Sequence, residues 1–286
     1  MLVTAKEILG LACKEGYAVG AFNCVNLEQL LAIVEAAELE KAPVIIQTSE
    51  SALKYAGREL LGQMIKCAAK QSFVPIALHL DHGQTYETIE WCVKNGWTSV
   101  MIDASSLPLK ENIKRTQKVV SLAKAQGVSV EAELGRISGV EDQVEVFSQD
   151  AFFTDPQEAR EFAKETKIDA LAVAIGTVHG NYVGALNLDF ERLKQIKQLV
   201  PLPLVLHGGS GLTSDDITKA IKLGINKINI DTELRLAFAQ GCREVLTRDP
   251  DEHDPRKICG CARDKVREVV QKKIRIFAVG NRLIKV

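Results

Sequence analysis

The stretch Ile76-Ala-Leu-His-Leu-Asp-His-Gly83 decides the fold, because an apolar run ends there on an acid, a histidine and a glycine. Two later stretches end in a similar way: Ala172-Val-Ala-Ile-Gly-Thr-Val-His-Gly180 and Leu204-Val-Leu-His-Gly-Gly-Ser-Gly211. The chain has 5 histidines, so three in one local context exceed what scattered use would give. If the apolar runs are parallel strands, these histidines arrive at the same end of the sheet.

Eight short apolar runs alternate with longer amphipathic stretches, a pattern typical of strands buried on both faces of a parallel sheet. The predicted strands are Ala18–Phe22, Val44–Gln47, Ile76–Leu80, Ser99–Asp103, Val128–Glu133, Ala170–Ile175, Leu204–His207 and Lys227–Ile230. Eight strands alternating with helices predict a closed (β/α)8 TIM barrel, with an open doubly wound sheet as the alternative. A Gly-x-Gly-x-x-Gly motif does not follow the first strand, so the dinucleotide-binding form of that sheet has no support.

Residues 1–286 are predicted to form a single barrel domain with two additions. A long loop, Gly135–Pro156, follows the fifth strand and is expected to be a lid or a disordered insertion. A C-terminal extension spans residues 248–286 and contains a helix over roughly Ala262–Phe277. This helix is expected to pack outside the barrel or against a neighbouring subunit, which favours a homodimer or homotetramer.

Composition limits the classes of function. The formal net charge of −1 gives no basic field to attract nucleic acid or an anionic membrane. Apolar runs fall short of the roughly 18 residues that a membrane span needs, and the first residues indicate a helix, not a signal peptide. The 7 cysteines lack the spacing of a disulfide framework, which indicates reduced thiols. We expect a cytoplasmic protein that acts on a small molecule.

Almost every predicted strand ends on a polar or ionisable residue, at the face where this fold places its active sites. These residues are Asn23, Ser49, Asp81, His82, Asp103, Glu133, His179, His207, Asn229 and Asp231. Three converging neutral imidazoles with an open fourth position make a catalytic zinc site. The sequence therefore predicts that His82, His179 and His207 bind Zn2+.

The acids near these histidines have several possible roles. Asp81 precedes His82 directly and is placed either for proton transfer to a metal-bound substrate or to orient a histidine. Asp103 and Glu133 could form structural ion pairs, support a histidine or hold a second metal. His79 lacks a neighbouring glycine and is assigned a structural or supporting role.

Glycines after the seventh and eighth strands predict a phosphate site. The run His207-Gly-Gly-Ser-Gly211 opens backbone N–H groups toward the barrel mouth, and Asn229-Ile-Asp-Thr232 starts the last helix of the barrel. Barrels often bind phosphate at this location, where helix N-termini supply the positive end. A plain tight turn is the alternative for the glycine run alone.

The motifs together resemble the class II, zinc-dependent ketose-bisphosphate aldolases, which include fructose- and tagatose-1,6-bisphosphate aldolases. The resemblance spans nearly the whole chain from Tyr17-Ala-Val-Gly-Ala-Phe-Asn23 onward. It is carried by Leu78-His-Leu-Asp-His-Gly83, Val130-Glu-Ala-Glu-Leu-Gly135, Val178-His-Gly180, Leu206-His-Gly-Gly-Ser-Gly211 and Asn229-Ile-Asp-Thr232. It implies a carbon–carbon lyase that splits a ketose 1,6-bisphosphate reversibly into dihydroxyacetone phosphate and glyceraldehyde 3-phosphate.

The resemblance also implies residue roles. Asp81 would exchange a proton with the oxygen on the aldehyde side, and Glu141 in the long loop would exchange the proton next to the ketone. The implied substrate-binding residues are Asn23, Ser49, Gly180, Gly208, Gly209, Ser210, Asn229, Ile230, Asp231 and Thr232. A monovalent cation such as Na+ or K+ is also expected near the phosphate site.

The chemistry of such a cleavage agrees with a metal, because zinc can stabilise the negative charge that develops on the ketone side. The alternative, a Schiff base, needs a lysine inside the barrel. The sixth predicted strand has none, and Lys227 is expected to enter the last strand at the opposite end. Other readings are an aldolase for a phosphorylated deoxy-keto sugar acid, a metal-dependent hydrolase and a non-catalytic phospho-sugar-binding subunit.

Overall fold

The computed structural model describes residues 1–141, 144–146, 152–180 and 186–278. Within these ranges the helices are α1 (Ala5–Glu15), α2 (Leu27–Leu39), α3 (Glu50–Ala56), α4 (Arg58–Gln71), α5 (Tyr86–Lys94), α6 (Leu109–Lys124), α7 (Pro156–Thr166), α8 (Phe190–Leu199), α9 (Ser214–Lys222), α10 (Thr232–Arg248) and α11 (Pro255–Phe277). The strands are β1 (Val19–Asn23), β2 (Val44–Ser49), β3 (Ile76–Gly83), β4 (Ser99–Ile102), β5 (Ser129–Leu134), β6 (Ser138–Glu141), β7 (Val144–Val146), β8 (Ala170–Val173), β9 (Val178–His179), β10 (Leu204–Leu206) and β11 (Ile225–Ile230).

Among the described residues, eight parallel strands close into a barrel in the order β1-β11-β10-β8-β5-β4-β3-β2. The ring is closed by β1 against β11, where Val19 pairs with Lys227 and Phe22 with Ile230. The predicted TIM barrel is confirmed, and the open doubly wound sheet is excluded. All eight predicted strands are present, although β3 continues three residues beyond the predicted end at Leu80.

The interior of the barrel changes from apolar at its amino-terminal end to polar at its carboxyl-terminal end. Successive strand residues point to opposite faces, so every second residue faces inward. On β1 the inward series reads Val19, Ala21 and Asn23, and on β3 it reads Ala77, His79 and Asp81. Helix α1 packs against the apolar inward residues and covers that end. Polar side chains are therefore concentrated at the opposite end.

The long loop after β5 contains secondary structure that the sequence did not predict. Strands β6 and β7 pair antiparallel, and β6 also pairs in parallel with β9, where Gly139 aligns with His179. Arg136 and Phe152 form a further bridge at the base of this segment. The loop is thus attached to the segment that carries a predicted metal ligand, while residues 142–143 and 147–151 lie outside the described ranges.

The C-terminal helix α11 begins at Pro255, earlier than the predicted start near Ala262. Asp254 accepts a hydrogen bond from the Arg256 N–H, and Pro255 occupies the first turn, so the start of the helix is well capped. The helix packs on α10 and α2, where Arg275 pairs with Glu40. Its packing outside the barrel is confirmed, and residues 279–286 lie outside the described ranges.

None of the helices in the described ranges is long and apolar enough to cross a membrane.

Candidate active site

A local irregularity in β3 brings Asp81 and His82 to the mouth of the barrel. The register between β3 and β4 shifts between Leu80 and Gly83. Within this bulge His82 has a φ of 45°, a left-handed conformation that non-glycine residues adopt infrequently. Bulges redirect side chains next to active sites, and backbone strain of this kind occurs at functional positions. The bulge allows two consecutive residues to reach the same site.

The Asp81 carboxylate is fully buried and accepts hydrogen bonds from three amide side chains. Asn23 Nδ2 and Gln47 Nε2 contact its Oδ2 at 3.1 and 3.0 Å. Asn229 Nδ2 contacts its Oδ1 at 3.2 Å, and Gln47 also donates to Asn23 Oδ1 at 2.6 Å. Four strands thus hold one carboxylate in a single orientation.

His82 and His207 face each other beside this carboxylate. Their rings meet edge to face, with His82 Nε2 only 2.9 Å from His207 Nδ1. The other ring nitrogens contact carboxylates: His82 Nδ1 lies 2.9 Å from Asp103 Oδ2, and His207 Nε2 lies 2.9 Å from Glu131 Oε1. When each ring donates its outer N–H to a carboxylate, the lone pairs of both inner nitrogens point toward one place.

The surroundings keep the buried ring of His207 neutral. Burial lowers the pKa of His207, and the neighbouring Glu131 opposes this shift only in part. Burial by itself would raise the pKa of Asp103, but its hydrogen bond and charge interaction with His82 lower that pKa well below the usual range. Neutral imidazole and ionised carboxylate are the forms that make a metal ligand and its supporting partner.

The donor set fits a zinc ion. Asp81, His82 and His207 place one potential ligand atom each within 4.8 Å of one another, and His82, Asp103 and Glu133 form a second such group. Because Asp103 contacts the far nitrogen of His82, it acts as a support for that ring. Two imidazole nitrogens converging at 2.9 Å, each backed by a carboxylate, match the outer-partner arrangement of metal-binding histidines.

The other predicted ligand and the loop acid are described through their backbone alone. The side chains of His179 and Glu141 lie outside the described residues. The backbone of β9 nevertheless runs beside the His207 turn, since a Cβ on Gly208 would lie 2.5 Å from the Val178 carbonyl oxygen. Glu141 is two residues after Gly139, which aligns with His179 across the small sheet.

The predicted phosphate segments lie next to each other. Gly209 N–H donates to the Asn229 carbonyl at 3.2 Å, which joins the turn after β10 to the end of β11. Ser210 Oγ accepts the Glu233 N–H at 3.4 Å in the first turn of α10. A helix of 17 residues starting at Thr232 presents its positive end at this place.

For four of the predicted substrate-binding residues, the structure shows local structural features. Ser49 caps α3 by accepting the Ala52 N–H. Asp231 pairs with Arg235 one turn along α10, and Ile230 is a buried core residue of β11. Gly180 follows β9 with a φ of 82°. Their contact with a substrate stays a prediction.

We expect Gly208→Ala to destabilise the protein by at least about 1–2 kcal/mol, because Gly208 has a left-handed φ of 63°. The added methyl group would also meet the Val178 carbonyl. Denaturant unfolding measures the effect, with Gly10→Ala as the matched control. Gly10 lies in α1 with open space around its Cα, so alanine there should stabilise by roughly 0.5–1 kcal/mol. Equal stability of both variants would contradict the strain at Gly208.

Three inward-facing residues near the site, on β2, β5 and β11, are not among the residues predicted from the strand ends. Gln47 contacts Asp81, and Glu131 contacts His207. Lys227 was expected at the opposite end of the last strand, and this was wrong, because β11 starts at Ile225 and buries Lys227 inside the barrel. Its Nζ lies 2.8 Å from Glu131 Oε2. A count of every second residue along each strand would have found all three.

Comparison with known proteins finds relatives over nearly the whole chain. Residues 3–282 match the family described as "Fructose-bisphosphate aldolase class-II". A fructose-bisphosphate aldolase of Thermus caldophilus is 49% identical over 97% of this chain and 98% of that protein. One of Helicobacter pylori (strain ATCC 700392 / 26695) is 44% identical over 99% of this chain and 100% of its own length.

A solved structure shares the same fold. The crystal structure of the YdjI aldolase from Escherichia coli K12 superposes with a TM-score of 0.85 and 35% identity, over 97% of each chain. The chain thus has both the closed barrel of a solved aldolase structure and a family match over almost its whole length. The chain belongs to the class II fructose-bisphosphate aldolase family.

Proposed function

We propose that the protein is a zinc-dependent aldolase that cleaves a ketose 1,6-bisphosphate, fructose or tagatose 1,6-bisphosphate, reversibly to dihydroxyacetone phosphate and glyceraldehyde 3-phosphate. The observation that carries the proposal is the Asp81 carboxylate, fixed by three amides beside two facing histidines. On this proposal a proton-transfer group would lie next to a metal site. A group that takes the hydroxyl proton and a metal that stabilises the negative charge on the ketone side would together support cleavage of a carbon–carbon bond beside a ketone.

Asp81 is the group we assign to the hydroxyl proton. In the cleavage direction it removes the proton of the C4 hydroxyl, the C3–C4 bond breaks and C4 becomes the aldehyde. In the reverse direction Asp81 returns that proton to the new hydroxyl. Its amide neighbours Asn23, Gln47 and Asn229 orient the carboxylate, and positioned proton transfer of this type contributes typically about 10²–10⁴-fold in rate.

Glu141 is assigned to the proton on C3 of the dihydroxyacetone phosphate half. After bond cleavage it supplies a proton to C3, and in condensation it removes one. The support is positional: β6 lies in register with β9, so the backbone of the loop passes the segment of His179. A residue on a loop joined to the site through a short sheet can approach and leave as substrate binds.

The residues that would hold zinc are His82, His207 and His179. When bound, zinc acts as a Lewis acid that stabilises the negative charge developing on the ketone side. The turn Gly208-Gly209-Ser210 and the segment Asn229–Thr232, beside the positive end of α10, would bind the phosphate of the dihydroxyacetone half. A Na+ or K+ ion near that phosphate remains part of the proposal.

A coupled assay for triose phosphate tests the proposed reaction. Fructose and tagatose 1,6-bisphosphates are supplied in parallel, and we expect dihydroxyacetone phosphate from at least one of them. Release of inorganic phosphate instead would indicate the hydrolase alternative. Triose phosphate from a phosphorylated deoxy-keto sugar acid alone would assign the related aldolase. Tight binding of sugar phosphate without turnover would indicate a binding subunit and overturn the proposed activity.

A further inference from the structure

A buried ion pair lies inside the barrel, directly beneath the facing histidines. Lys227 on β11 and Glu131 on β5 have side-chain exposures of 0% and 3%. The Lys227 Nζ lies 2.8 Å from Glu131 Oε2 and 3.1 Å from Oε1, so it contacts both carboxylate oxygens. The proton transfers assigned above use neither residue. The role of this buried ion pair is therefore still to be explained.

A contribution to folding stability does not by itself explain why this ion pair is buried in the barrel. Removing two charges from water is costly, and well-packed apolar side chains of similar volume are often as stable or more so. The lower barrel interior of this chain is apolar in this way, with Ile45 and Val205 among its inward residues. The ion pair lies above these apolar residues, at the level where Glu131 contacts His207. Its position suggests a task in the site above it.

The contact between Glu131 and His207 identifies that task. Glu131 Oε1 lies 2.9 Å from His207 Nε2, on the side of the ring away from His82. Accepting the Nε2–H there leaves the lone pair on Nδ1, and Nδ1 is the atom that faces His82 Nε2 at 2.9 Å. The carboxylate thus determines both the tautomer of His207 and the direction of its ring.

The second histidine shows the same construction with different support. His82 Nδ1 contacts Asp103 Oδ2 at 2.9 Å. Asp103 is itself held by Ser105, whose Oγ donates to Oδ1 at 2.7 Å and whose N–H donates at 3.1 Å. Each carboxylate therefore has an anchor behind it. Ser105 anchors the carboxylate beside His82, and Lys227 anchors the carboxylate beside the fully buried His207.

We propose that Lys227 and Glu131 are positioning residues that orient His207, through its Nε2, for binding metal at Nδ1. Lys227 acts through Glu131 by holding both carboxylate oxygens, so the carboxylate does not rotate away from the imidazole. His79 completes the cluster, since its Nδ1 contacts Ser99 Oγ at 2.7 Å and its Nε2 lies 3.7 Å from Glu131 Oε2. The inference rests on the metal-binding part of the proposed function.

Zinc affinity is the direct readout, measured by competition with a fluorescent chelator on Glu131→Gln, Lys227→Met and the double variant. Loss of an outer partner of a metal-binding histidine typically lowers metal affinity about 10–100-fold, and we expect a loss in this range for E131Q. K227M should lower affinity in the same direction. The double variant should be no weaker than E131Q, because Lys227 acts only through Glu131.

A second readout and a control separate positioning from general destabilisation. The visible spectrum of the cobalt-substituted protein reports the ligand geometry and should change in E131Q. The matched control is Asn226→Ala on the same strand, where a buried side chain donates to the Tyr17 carbonyl far from the histidines. N226A should reduce stability and leave zinc affinity and the cobalt spectrum unchanged.

The outcomes decide between the claims. If wild type fails to bind zinc, the proposed function itself fails. If wild type binds zinc and E131Q matches it within twofold with the same cobalt spectrum, the positioning role is wrong. Circular dichroism verifies folding, and if K227M does not fold, E131Q alone decides.

Discussion

Replacing Asp81 with asparagine is expected to lower kcat for bisphosphate cleavage by about 10²–10⁴-fold, the usual contribution of positioned acid–base catalysis. The amide keeps the size of the carboxylate and cannot take the hydroxyl proton. Its NH2 group would also face another hydrogen-bond donor, because the side chains of Asn23, Gln47 and Asn229 all donate to the carboxylate at this position. Steady-state kinetics of triose phosphate formation measure the effect.

Two controls make the Asp81 result specific. Zinc content of D81N should match wild type, because Asp81 is assigned to proton transfer and the ligands are histidines. Asp169→Asn is the matched substitution at the other end of the barrel, where Asp169 pairs with Lys6 and accepts the Val130 N–H. It should leave kcat unchanged. A D81N enzyme with kcat within tenfold of wild type would rule out the assigned role.

Replacing His82 with alanine should abolish measurable activity by removing a metal ligand. The loss of zinc affinity should exceed the roughly 10–100-fold that an outer partner contributes. The variant also leaves Asp103 without the ring that it supports. Zinc content after dialysis and cleavage activity are measured on the same samples. Activity at the wild-type level with zinc absent would show that this histidine is not a ligand.

A matched histidine substitution controls for general effects. His253 is exposed in the segment between α10 and α11, where its ring contacts the Asp251 carbonyl. His253→Ala should retain zinc and activity. His207→Ala should behave as His82→Ala does, since both nitrogens converge on one point.

The barrel was predictable from the sequence because its signal is local and repeated. Strands buried on both faces read as continuous apolar runs, and each one here is separated by an amphipathic helix. The proximity of Asp81, His82 and His207 followed from the rule that barrel sites form at one face, whereas the position of the His179 side chain stays a prediction. These residues required no knowledge of which strands are neighbours.

The remaining features depend on contacts between distant segments. The pairing of β6 with β9 joins an acidic loop to a two-residue strand, and neither has a periodic pattern. The contact of Lys227 with Glu131 needs the closure of the barrel, which brings β11 and β5 to face each other across its interior. The early start of α11 has a local signal, because the Asp254-Pro255 pair supplies a capping carboxylate and a proline in the first turn.

Zinc titration of the chelator-stripped wild-type protein, followed by cleavage of fructose 1,6-bisphosphate, tests the central claim most directly. Stripped protein should be inactive, and activity should return with added zinc and saturate at one metal per chain, as a single site of three imidazoles requires. Full activity in stripped protein would contradict the account, as would borohydride trapping of the substrate on a lysine.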